Sequence, residues 1–180
     1  MSIRQFNATY VAEEDRVLFR LTTTSSEEYR LWLTRVRVSE ILALGEKAAV
    51  VKVAQVESNL LPQQAQAVAE FKQQAAKQST QFTEFQPAQR LPLGAEPLLV
   101  KGLKMEVQDL AVVLHMEVSL GRMLSLKLNE DMVSKLRILL EKISENARWQ
   151  IAAVSAAVVE NTREAPLPDP GTSTNGKLLH

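Results

Sequence analysis

The chain has 180 residues, 46% of them hydrophobic, enough apolar material to bury a core without covalent cross-links. It contains no cysteine, which removes disulfides, thiolate metal sites and cysteine nucleophiles and fits a reducing compartment. Its 21 basic and 21 acidic side chains cancel, so no global field draws it to nucleic acid or anionic lipid, and any such binding needs a local patch.

The first residues, MSIRQFNATY, alternate apolar and polar instead of pairing a basic start with an apolar run, so no signal peptide is expected and the expected location is the cytoplasm. Ser2 to Tyr10 reads as a strand and Glu13, Glu14 and Asp15 as a polar turn, whose adjacent carboxylates are read as solvated and not as a cation site. In Arg16 to Thr22, Val17, Phe19 and Leu21 share one parity, the period-two signature of a strand with one covered face. Thr23 to Glu27 is turn-like, and Glu28 to Leu33 resumes the alternation with Tyr29, Leu31 and Leu33 on one side. Thr34 is placed to cap a helix, because its hydroxyl can accept from an orphan first-turn amide. Val38, Ile41, Leu42, Gly45, Ala48, Val51 and Val53 carry that helix onward until Pro62 forces a break.

Leu61 to Ser79 is a Gln-rich helix, exposed or packed on a partner, with Val68 and Phe71 as its chief apolar anchors. Thr80 to Pro97, with four punctuating residues in Pro87, Pro92, Gly94 and Pro97, reads as a linker. Strands follow at Leu98 to Val107, Leu110 to Val118 and Met123 to Leu128. Asn129 is the next cap, and Glu130 and Asp131 fall in the first turn, where negative charge suits the helix dipole. Met132, Val133, Leu136, Leu139, Leu140 and Ile143 then make an amphipathic helix, with Trp149 packing near its end. Ile138 to Val159 is too interrupted by charge to span a membrane, which needs about 20 mostly apolar residues. IAAVSAAVV either extends this helix or forms a separate piece, and PLPDPGTSTNG is expected to be disordered.

The fold class is therefore α+β, with two strand-strand-helix pseudo-repeats joined by a helix and linker. LWLTRVRVSEILALGEK laid over LKLNEDMVSKLRILLEK puts Leu31 on Leu126, Thr34 on Asn129, Val38 on Val133 and Glu46-Lys47 on Glu141-Lys142. The expected organisation is a first repeat over 1–60, the Gln-rich helix and linker over 61–97, a second repeat over 98–160 and a tail over 161–180.

Two histidines, His115 and His180, leave no basis for a multi-histidine metal site or a histidine relay. His115 sits at the parity of a solvated or partner-facing strand position. Six unclustered glycines give no phosphate-cradling loop, and no G-x-S-x-G motif occurs. The expectation is a non-enzymatic protein without cofactor or resident metal.

If the apolar parity lies under the helix, pleating puts Arg16, Leu18, Arg20, Arg30 and Trp32 on the opposite face, with Arg35 and Arg37 near its rim. Arginine beside tryptophan on an open sheet can pair with phosphates and stack bases, the chemistry of single-stranded DNA or RNA binding. The same face can instead pack against the other repeat or a second subunit, since cross-strand Arg and Trp also stack on each other. The leading reading is single-stranded nucleic-acid binding through Arg16, Arg20, Arg30, Trp32, Arg35 and Arg37. The alternative is a structural or adaptor protein that uses this face or the Gln-rich helix for homo-oligomerisation or a protein partner.

The run GRMLSLKLNEDMVSKLRILLEKI, a strand entering a capped amphipathic helix, resembles the repeat of the Whirly, Pur-alpha and transcriptional positive-coactivator group of single-strand-binding folds. That resemblance covers roughly 17–47 and 98–143, and it implies a duplicated or dimerised sheet-plus-helix unit with nucleic acid across its open sheets. RQFNATYVAEEDRVLFRL with EYRLWLTR also resembles a bacterial family of uncharacterised proteins, which implies a bacterial source and no function.

Overall fold

The computed structural model describes residues 1–108 and 111–151. Six strands form one sheet in sequence order: β1 (Ile3–Val11), β2 (Arg16–Thr23), β3 (Glu28–Leu33), β4 (Leu98–Gln108), β5 (Ala111–Val118) and β6 (Arg122–Leu128). Among the described residues three α-helices accompany them, α1 (Arg35–Val56), α2 (Pro62–Ser79) and α3 (Glu130–Asn146), so the chain is α+β. None of these helices is long and apolar enough to cross a membrane.

Neighbouring strands pair antiparallel except where the halves join, at the parallel pairs Leu31 with Leu98 and Trp32 with Leu99. The strands of the two expected units thus belong to one sheet. At the other edge Ser2 bridges Lys127, also in parallel, and the N-terminal ammonium donates to the Ser125 carbonyl at 3.0 Å. The sheet curls until its edge strands meet at the start of β1, which leaves little unpaired backbone there to recruit another strand.

The period-two alternation predicts which face is covered. Val17, Phe19, Leu21, Tyr29, Leu31 and Leu33 are all buried, as are Leu114, Met116, Leu124, Leu126 and Leu128 in the second half. These join Val38, Ile41 and Ala48 of α1 and Val133, Leu136, Leu139 and Leu140 of α3 in a single core. Each fully buried leucine or phenylalanine contributes about 1.5–3 kcal/mol relative to exposure.

Both strand-to-helix junctions are built alike. Thr34 Oγ1 accepts from the Arg37 amide at 3.4 Å, and Asn129 Oδ1 accepts from the Met132 amide at 2.8 Å, each satisfying one orphan donor of a first turn. At the far end of α3, Trp149 is buried: its indole Nε1 donates to Asp15 Oδ1 at 2.9 Å and its ring meets Tyr10 edge-on at 5.5 Å.

The anchors of α2 differ from expectation. Ala65, Ala69 and Gln73 are its buried residues, Val68 is half-buried, and Phe71 stands in solvent at 75% exposure. Small side chains let α2 approach α1 closely, and an aromatic ring at Phe71 falls on the wrong side of the helix to join that contact. The IAAVSAAVV stretch beyond Ile151 and the tail lie outside the described residues.

Candidate functional site

The face of β2 and β3 turned away from the core carries Arg16, Leu18, Arg20, Glu28, Arg30 and Trp32. Glu28 shares the parity of Arg30 and Trp32, and its position reorganises the whole surface. It is 1% exposed, and one carboxylate oxygen, Oε1, accepts from Arg20 Nε at 2.9 Å, Arg20 Nη2 at 2.8 Å and Arg30 Nε at 2.9 Å. Its second oxygen accepts from the Ala88 amide at 3.1 Å, and its own amide donates to the Arg90 carbonyl at 2.8 Å.

Those last two bonds belong to the segment between α2 and β4, which lies across the outer face as a strap. Phe85 puts its ring under the Arg20 guanidinium, 4.3 Å from Cζ to the ring centre. Gln86 receives Arg4 Nη2 at 3.0 Å and Gln5 Nε2 at 2.7 Å, Arg90 pairs with Glu27 at 3.2 Å, and Arg30 Nη1 donates to the Ala95 carbonyl at 3.2 Å. The prolines of the segment remove amide donors that would otherwise need partners along this path.

The electrostatics follow from that packing. Burial pushes the Glu28 carboxyl up, but hydrogen bonds from Arg30, Arg20 and the Ala88 amide, with the charge of Arg20, outweigh it and hold the group below the usual carboxylate range. Asp15, in the first turn, is likewise held low, chiefly by the Trp149 indole and then by the Tyr10 hydroxyl, with Arg35 adding its charge. The acidic turn is therefore a structural knot at Asp15 and not merely solvated. Among the described residues no group of three His, Asp or Glu side chains is placed to hold a metal ion.

Of the six sequence-selected residues, the structure brings Arg20 and Arg30 together on one buried carboxylate. Arg16 lies 3.6 Å from Glu14, Arg37 pairs with Glu40 one helical turn on, and Arg35 Nη2 donates to the Gln150 carbonyl at 2.9 Å. Glu28, Glu14 and Glu40, with Asp15 in the field of Arg35, are thus four carboxylates set against the five guanidinium groups. Trp32 is half-buried in a cross-strand row with Leu18 on β2 and Leu99 on β4. The chain matches no protein-family model, no curated protein and no solved structure. Nothing from known proteins therefore bears on the resemblance to the Whirly group, and the site rests on its own geometry.

The Trp32 row runs on toward the β5–β6 turn, where the Leu99 amide donates to Ser119 Oγ at 3.2 Å. The next residue, Leu120, holds φ at +69° and is 75% exposed, and Met123 beyond it is 60% exposed. A bulky non-glycine residue in left-handed backbone is costly, and here the strain presents an apolar side chain to solvent. Farther along the same face His115 Nδ1 lies 2.9 Å from Ser125 Oγ, and Nε2 sits 3.6 Å from Glu106. Nε2 is itself buried without a hydrogen bond, so His115 is less solvated than its strand parity predicts.

Sequence reasoning missed Glu28 and the strap. The signal for Glu28 was present, since an acidic residue at the parity of two arginines on one sheet face is a charge partner by register. Nothing in the composition of 80–97 says which surface it crosses.

Proposed function

We propose that the chain is a non-enzymatic binding protein of the structural or adaptor kind, working through the outer face of its sheet, and that the partner on that face is a second copy of the chain. The observation that carries this reading is the apolar row of Leu18, Trp32 and Leu99, continued by exposed Leu120 and Met123. A half-buried tryptophan in a row of half-buried leucines, continued by exposed Leu120 and Met123, has the composition of an interface centre, and charge paired off around it suits a rim. Zero formal net charge sets no long-range repulsion against self-association.

The second reading, single-stranded nucleic acid on the same face, is favoured by Arg16, which shares the outward parity of Leu18, the cross-strand neighbour of Trp32. Internal pairing of Arg20 and Arg30 leaves that reading few cations, so its salt dependence would be shallow, roughly 0.7 log units per phosphate contacted. The deciding experiment is size-exclusion chromatography with light scattering over a concentration series, followed by titration of labelled single-stranded DNA and RNA. A concentration-dependent dimer that persists in salt and is lost in folded Trp32→Ala supports the first reading. A monomer at every concentration that binds the oligonucleotides supports the second.

A further inference from the structure

The junction of the three helices holds polar groups that the fold leaves unused. The cleft between α1, α2 and α3 is lined by Ala48, Val53, Ala69 and Val133, with Gln73 and Arg137 among its polar residues. Gln73 is 7% exposed, and its Nε2 has no hydrogen-bond partner among the described residues. Arg137 Nε is also buried and unpartnered. A buried donor left without an acceptor is destabilising, most of all where it belongs to a charged group.

The fold makes room for this arginine at a specific place. A Cβ added to Gly45 of α1 would lie 3.0 Å from both Cγ and Cδ of Arg137, so glycine is what admits the stem of the side chain. Burial lowers the guanidinium's proton affinity, while Glu141 of α3 and Glu46 of α1 act against that. Glu141 is itself paired with Lys77 of α2 at 2.7 Å, and Glu130 at the cleft mouth lies 3.6 Å from Lys72. Lys52, also in the lining, donates to the Gln108 carbonyl. The cavity volume within the cleft is about 30 Å³, roughly two to three times what one water needs, so the occupant is small.

We infer that this cleft is a binding site for a small oxyanion, a phosphate or a carboxylate, whose oxygens accept from Gln73 Nε2 and Arg137 Nε. A planar guanidinium and a carboxamide lining one cleft are a donor pair suited to two oxygens of one group.

The test is thermal unfolding of the full chain titrated with inorganic phosphate and, separately, acetate, each balanced with sodium chloride to constant ionic strength. The expected result is a saturable rise in Tm with one of the two anions, identifying which class the site takes. Gln73→Leu should weaken the apparent affinity about tenfold, the loss of one hydrogen bond to a charged group, and Arg137→Met should abolish the effect. A Tm that follows ionic strength alone, or an equal response in Gln73→Leu, overturns the assignment and leaves the two donors to internal water. If Arg137→Met does not fold, wild type and Gln73→Leu decide the matter between them.

Discussion

Replacing Glu28 with alanine removes the one acceptor that Arg20 and Arg30 share and releases the Ala88 amide in the same step. Breaking a buried ion pair by deleting one partner costs about 3–5 kcal/mol, because the surviving charge stays desolvated. Here the surviving arginine side chains are 26% and 30% exposed and can turn partly to water, which places the cost near the lower end, about 3 kcal/mol. For a chain of this size that is a fall in Tm of roughly 6–12 °C. Urea unfolding followed by circular dichroism measures it, and proteolysis at low protease concentration reports whether 80–97 has come loose. A triple replacement, Glu28→Leu with Arg20→Met and Arg30→Met, should recover most of the loss, since an apolar cluster of similar volume needs no paired charges. A cost under about 1 kcal/mol for Glu28→Ala would mean that the Glu28 carboxylate is not a buried tie between Arg20, Arg30 and the strap, because a loss that small is what an exposed ion pair gives.

The same carboxylate sets a pH dependence. Its folded pKa is depressed from 4.5, so its contribution is fully present above that value and lost as pH falls through the lower folded value. Unfolding measured from pH 6 down to pH 3 should show wild type losing stability below about pH 4.5, with a shallower loss in Glu28→Gln. Asn129→Ala and Thr34→Ala should each cost about 1 kcal/mol in urea unfolding, the asparagine more because its cap bond is 2.8 Å against 3.4 Å. Trp149→Ala removes both the contact with Tyr10 and the bond to Asp15, and should cost about 3–5 kcal/mol by the same assay.

Periodicity made much of the fold legible. The alternation in 17–21 and 29–33 identifies every buried residue of those segments, because a sheet covered on one face allows no other assignment of parity. The two caps are equally readable, since Thr34 and Asn129 stand directly before the helical spacing begins. Phe71 shows the opposite case: local pattern selects an apolar residue as an anchor, yet α2 packs through alanines, and only the tertiary approach of α1 decides which stripe is buried. Glu28 was visible but unpaired in one dimension, and the path of 80–97 depends on contacts between segments far apart in the chain. Arg137 and Gln73 come together for the same reason, through a glycine on a third helix.

The most direct test of the outer face as the working surface is sedimentation velocity of wild type and Trp32→Ala across micromolar concentrations, at low and high salt. Wild type is expected to shift from monomer to dimer with concentration, with little effect of salt, while the folded variant stays monomeric. Wild type that remains monomeric throughout, or a variant that dimerises equally well, would contradict it.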